Sequence, residues 1–173
     1  YADLDWDVMK REIASAGGQT GAATRLNGEP GAGEVDYTKG SNFLRMIEYT
    51  VGRAKWDAYL TSYFDRHAFQ PQTTAGFLAD LRERLLKDQP ELELKLQLDR
   101  WAYGAGLPDN AVRVHSATLA KVDTKLTAFN AGGPASAVQP QGWTTQEWLR
   151  FLNGIDRQQS PARLKELDET LGL

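Results

Sequence analysis

The chain has 173 residues, 41% hydrophobic and 25% charged, with a net charge of −3. That is room for one domain or two small ones, and the absence of a basic block excludes a nucleic-acid footprint. No apolar run approaches the roughly 20 residues of a membrane-spanning helix, and the absence of cysteine excludes disulfides and thiolate metal sites.

In chain order, Leu4, Val8 and Ile13 recur near helical spacing in DLDWDVMKREIASAG, which predicts a helix stopped by Gly17 and Gly18. GGQTGAATRLNGEPGAGEVD is rich in glycine and predicts a long loop, a kind of segment that often carries function. Tyr37-Thr38-Lys39-Gly40 stands just before an apolar helix in which Phe43, Leu44, Ile47 and Val51 share a face and Gly52 is the stop. AKWDAYLTSYFDRHAF predicts a further helix with Trp56, Tyr59, Leu60 and Tyr63 on one side and Phe64 beside them. After QPQTT, Thr73 or Thr74 caps a helix that buries Phe77, Leu78, Leu81 and Leu85.

Pro90 opens PELELKLQLDRWAYG. Its Leu92, Leu94, Leu96 and Leu98 alternate as in a strand, but the good helix formers between them and the lack of β-branched residues favour one helix. GAGLPDN is a turn, and a helix is expected from about Ser116. NAGGPASAVQPQG reads as a linker. Thr144 with Glu147 matches a capping box, and Ser160-Pro161 opens a last helix. The sum is an all-α architecture of packed helix pairs, with six to eight helices expected.

The residues alone leave the chemistry open. The Tyr37 phenol is either a donor aimed at a developing oxyanion or that of a boundary tyrosine with its ring packed and its hydroxyl in water. Gly40 would let its helix approach a neighbour closely, and Lys39 either holds a carboxylate or is solvated at the helix start. Glu48 is either a solvated face residue or the anchor of a buried pair. Glu29, in the glycine-rich loop, either faces an amine or is a free carboxylate. His67 and His115 are far apart in sequence and read as surface or capping residues. With no H-E-x-x-H and no Cys-x-x-Cys, the chain assembles no conventional zinc site by itself.

Four landmarks in order resemble the M1 family of zinc aminopeptidases, nearest its leukotriene hydrolase-like branch. They are DYTKGSNFLRMIEYTVG, WDAYLTSYFDRHAF, TTAGFLADL and LDRWAYGAGLPDN, and they cover roughly Asp36 to Asn110. The resemblance implies that Tyr37 stabilises the tetrahedral intermediate of peptide hydrolysis, and this favours the functional reading of that residue. Glu29 is carried as a substrate-binding candidate.

The family's zinc ligands, general-base glutamate and amine-recognition motif have no counterpart here. Ala32 stands where some relatives place a second tyrosine, which argues against a second-phenol function such as epoxide hydrolysis. The expectation is therefore a fragment. Residues 1–115 would be the C-terminal helical part of a thermolysin-like catalytic domain, 116–143 a connecting helix and linker, and 144–173 the first helices of a C-terminal helical domain. Zinc and the peptide substrate would belong to the intact enzyme, and the fragment alone would be inactive. It would associate with the remainder of its parent chain or with itself. The compartment is open, with the cytoplasm favoured. The competing reading is a stand-alone all-helical protein-interaction module.

Overall fold

A computed structural model describes residues 2–27 and 34–172. Among them there are helices and turns but no strand, so the all-α expectation holds. Helix α1 spans Ala2–Ser15. The chain then divides into two units, Asp5–Arg113 and Tyr1–Leu4 with Val114–Leu173.

The larger unit is built on α2, Val35–Val51, which begins earlier than the sequence suggests. Its buried residues are Val35, Lys39, Asn42, Phe43, Met46 and Ile47, so two polar side chains lie inside the apolar stripe. Leu44, expected on the buried face, is exposed instead. Gly52, at φ 88°, separates α2 from α3, Arg53–Arg66. Trp56, Tyr59 and Tyr63 of α3 are buried as their spacing predicts, whereas Phe64 is exposed.

Thr73 is the cap of α4, Thr74–Asp80, its hydroxyl accepting from the Gly76 N–H at 3.0 Å. The helix then widens into one π turn, Leu81–Leu85, that buries Leu81 and Leu85. Phe43, Ile47, Trp56, Leu78, Leu81, Leu96, Leu98 and Trp101 belong to one apolar cluster, with Phe43 and Trp101 stacked at 5.5 Å between centroids. Burying side chains of this size stabilises by roughly 1.5–3 kcal/mol each.

The single helix expected from Pro90 to Gly104 is two. Helix α5, Pro90–Leu96, ends at Gln97, which is left-handed at φ 49°, and α6 restarts over Leu98–Tyr103. The break is held from outside. The Asn110 amide donates to the Lys95 carbonyl at 2.7 Å and accepts from the Trp101 indole at 2.9 Å. Carbonyls freed at a helix end need such partners, and Asn110 lies beyond the turn that follows. The kink buries both Leu96 and Leu98 and leaves Leu94 79% exposed.

In the smaller unit, α7 spans Ala117–Asn130, α8 Thr145–Gly154 and α9 Pro161–Leu171. Ser116 caps α7 by accepting from Leu119 N–H, and its own N–H donates to the Asp3 carboxylate at 2.9 Å. The expected capping box is formed: Thr144 accepts from Glu147 N–H, and the Glu147 carboxylate accepts from Thr144 N–H at 2.8 Å. The glycine- and proline-rich stretch 130–142 packs inward through Ala135 and Val138, which join Val122, Phe129, Phe151 and Leu167 in one core.

Candidate functional site

Tyr37 falls within the first turn of α2 rather than before it. Its backbone N–H donates to Glu34 O at 3.0 Å, and its side chain is 81% exposed. At that exposure its ring is not packed, while its hydroxyl, without a hydrogen-bond partner among the described residues, fits both readings of the residue. Glu29 lies outside the described residues, as does Ala32.

The turn that carries Tyr37 is fastened on its other side. Thr38 Oγ1 donates to the Glu12 carboxylate of α1 at 2.5 Å. Lys39 Nζ donates to Thr24 O at 2.8 Å and to Gly104 O at 2.9 Å. One turn later, Asn42 Nδ2 donates to Val112 O at 3.0 Å. Neither expectation for Lys39 survives, because it is 0% exposed and holds backbone carbonyls rather than a carboxylate. Burial, reinforced by the Arg100 guanidinium and opposed by Asp36, pushes its ammonium down to about 8.

The segments held by Lys39 are themselves joined. Thr24 forms a 3₁₀ turn, Ala22–Thr24, and its hydroxyl accepts from Gly106 N–H at 2.6 Å. Gly106 has φ +71°, and a Cβ there would stand 2.6 Å from Gln19 Cα, so this glycine meets both a left-handed backbone and a close approach. Gly40 does not: its nearest neighbour to an added Cβ is Leu26 Cδ2 at 3.9 Å, an ordinary contact. Close approach was the wrong reason for Gly40. The fastening residues were legible only in part. Val35, Lys39, Asn42 and Met46 follow helical spacing, which puts the lysine and the asparagine on the buried face.

A second polar cluster lies at the end of α3. Asp80 accepts from Tyr59 OH at 2.8 Å and from Arg66 Nη2 at 2.8 and 2.9 Å, with His67 Nε2 at 3.4 Å. Burial raises the Asp80 pKa, but the hydrogen bonds from Tyr59, Arg66 and His67 outweigh it and hold the group below its ordinary value. Burial and the Asp80 hydrogen bond raise the Tyr59 phenol. This hub fastens α3 to α4. His67 also closes α3, where its N–H donates to Tyr63 O, and His115 is exposed. Glu48 pairs with Arg53 on the surface at 3.3 Å. Among the described residues no group of three or more His, Cys, Asp or Glu stands close enough to hold a metal ion.

Residues 32–101 match the family described as the Peptidase family M1 domain. Leucine aminopeptidase 2 of Neosartorya fischeri is 26% identical over 189 residues, covering 99% of this chain and 30% of that protein. Leucine aminopeptidase 2 of Aspergillus fumigatus has the same identity and coverage, 26% and 99% of this chain. That of Emericella nidulans is 30% identical over 128 residues, 70% of this chain and 20% of its own length. The chain thus spans 30% of the length of the first two of these relatives. Together the family match over 32–101 and these leucine aminopeptidases support the assignment of this chain to the M1 aminopeptidase family.

Proposed function

We propose that this chain works as a segment of a zinc-dependent aminopeptidase of the leukotriene hydrolase-like branch, which removes N-terminal residues from peptides. Residues 1–115 form the helical end of its thermolysin-like catalytic domain, 116–143 connect, and 144–173 begin its C-terminal helical domain. The reading rests on the family match and on one observation. Tyr37 presents an exposed hydroxyl, without a hydrogen-bond partner among the described residues, from a turn anchored through Thr38 and Lys39.

A phenol with a reference pKa of about 10 is a neutral donor at physiological pH. When water attacks a peptide carbonyl, the oxygen gains negative charge, and a donor already in place binds that charge more strongly than the starting carbonyl. Tyr37 supplies that hydrogen bond, and Glu29 contacts the substrate amine. Zinc, when bound, supplies the activation of the attacking water. The described residues contain no donor set that fits it, so no step through the metal belongs to them.

The test is hydrolysis of aminoacyl anilides by the full-length protein and by this chain, each with zinc and after chelation. The expected result is turnover by the full-length protein that chelation abolishes and zinc restores, and none by the chain alone. Zinc-dependent turnover by the chain alone, or full-length turnover indifferent to chelation, would contradict the proposal.

A further inference from the structure

We propose that Lys39 is a positioning residue for Tyr37: by tying the first turn of α2 to the carbonyls of Thr24 and Gly104, it sets where the phenol stands. The inference rests on the reading of Tyr37 given above. An ammonium enclosed by protein is costly, and a well-packed apolar side chain in its place is often neutral or stabilising. Core filling therefore does not explain a lysine that is 0% exposed and faces two backbone carbonyls. What the amine adds is geometry. It draws together the 3₁₀ turn at Thr24, the end of α6 at Gly104 and α2, which are remote from one another along the chain. Thr24 is tied in turn to Gly106.

The phenol depends on this clamp because no described residue grips it directly. Its side chain is 81% exposed and its hydroxyl has no partner among the described residues. Its aim is inherited from the backbone two residues before Lys39. A displacement of about 1 Å at a reacting centre costs on the order of a hundredfold in rate, so a loosened turn is felt in kcat before it is felt in binding. The Lys39 ammonium is lowered to about 8 by burial and by Arg100, with Asp36 opposing. It still carries its proton at neutral pH and donates from a charged group.

The experiment uses the full-length protein. Lys39→Met removes the donor, and Lys39→Gln keeps a neutral one. Each is made alone and on Tyr37→Phe, with kcat, KM and the melting transition measured for all. The proposal expects Lys39→Met to lower kcat by about tenfold or more with KM within about twofold. Lys39→Gln should recover part of the loss, and neither should lower kcat further when Tyr37 is already Phe. Unchanged kcat in a folded Lys39→Met would overturn it. So would an equal loss on both backgrounds, which assigns the lysine to general structure, or loss of the folded state in both lysine variants. If Tyr37→Phe alone keeps wild-type kcat, the phenol reading fails first and this proposal with it.

Discussion

Tyr37 and Lys39 sit two residues apart on one turn and show opposite relations between sequence and structure. Tyr37 was legible because its neighbours form a motif. Lys39 was legible only in its spacing, because a lysine near a helix start is by default solvated, and its two acceptors come from Thr24 and Gly104, positions that no local pattern links to it. Asn42 and Asn110 escaped for the same reason: each serves backbone groups far away in sequence. Burial of Lys39 has a consequence for stability. Its folded pKa of about 8 lies below the ordinary 10.5, so between those values the unfolded chain holds a proton that the folded chain has released. Stability attributable to this side chain is therefore lowest, and flat, below pH 8, and rises as pH passes from 8 towards 10.5. Relative to Lys39→Met, which cancels the other titrating groups, the wild-type chain should gain about 2 kcal/mol between pH 7 and pH 9.5. Urea midpoints of both proteins at pH 7 and 9.5 measure it. A difference that stays constant, or moves in favour of the variant, would show that the amine is not desolvated.

At the scale of elements, sequence was reliable wherever the signal was local. Thr73, Ser116, Thr144 and Ser160 all cap helices as their side-chain chemistry suggests. A cap is made within about four residues, so propensity decides it. Thr144→Ala should accordingly destabilise the chain by about 1 kcal/mol, read as a lowered urea midpoint with unchanged slope. A loss below about 0.3 kcal/mol would mean that α8 is held by its packing through Phe151 alone. The reading failed where tertiary contacts override propensity. Good helix formers run unbroken from Glu91 to Leu98, yet the chain turns left-handed at Gln97 because the Asn110 amide donates to the freed carbonyls and the kink buries two leucines. The π turn at Leu81–Leu85 likewise buries two leucines with no local sequence mark. Low complexity misled in the same way at 130–142, where small residues pack closely as well as link.

At the scale of the whole molecule, the all-α class followed from helical periodicity, caps and the lack of strand signals, and the described residues bear it out. The similarity to M1 aminopeptidases rests on ordered landmarks rather than on composition, which is why no single residue carried it. Of the candidate site, the motif singles out Tyr37 as a candidate from sequence alone, while the bonds from Lys39 to Thr24 and Gly104 appear only in the folded chain. The chemistry stands or falls with the whole enzyme, and its sharpest probe compares two states of the same substrate. In the full-length protein, Tyr37→Phe should lower kcat by about a hundred- to a thousandfold. It should weaken a phosphonate mimic of the tetrahedral intermediate by a similar factor, and leave the affinity for an unreactive peptide within about twofold. A variant that binds the phosphonate and the unreactive peptide as the wild type does, with kcat intact, would contradict the account.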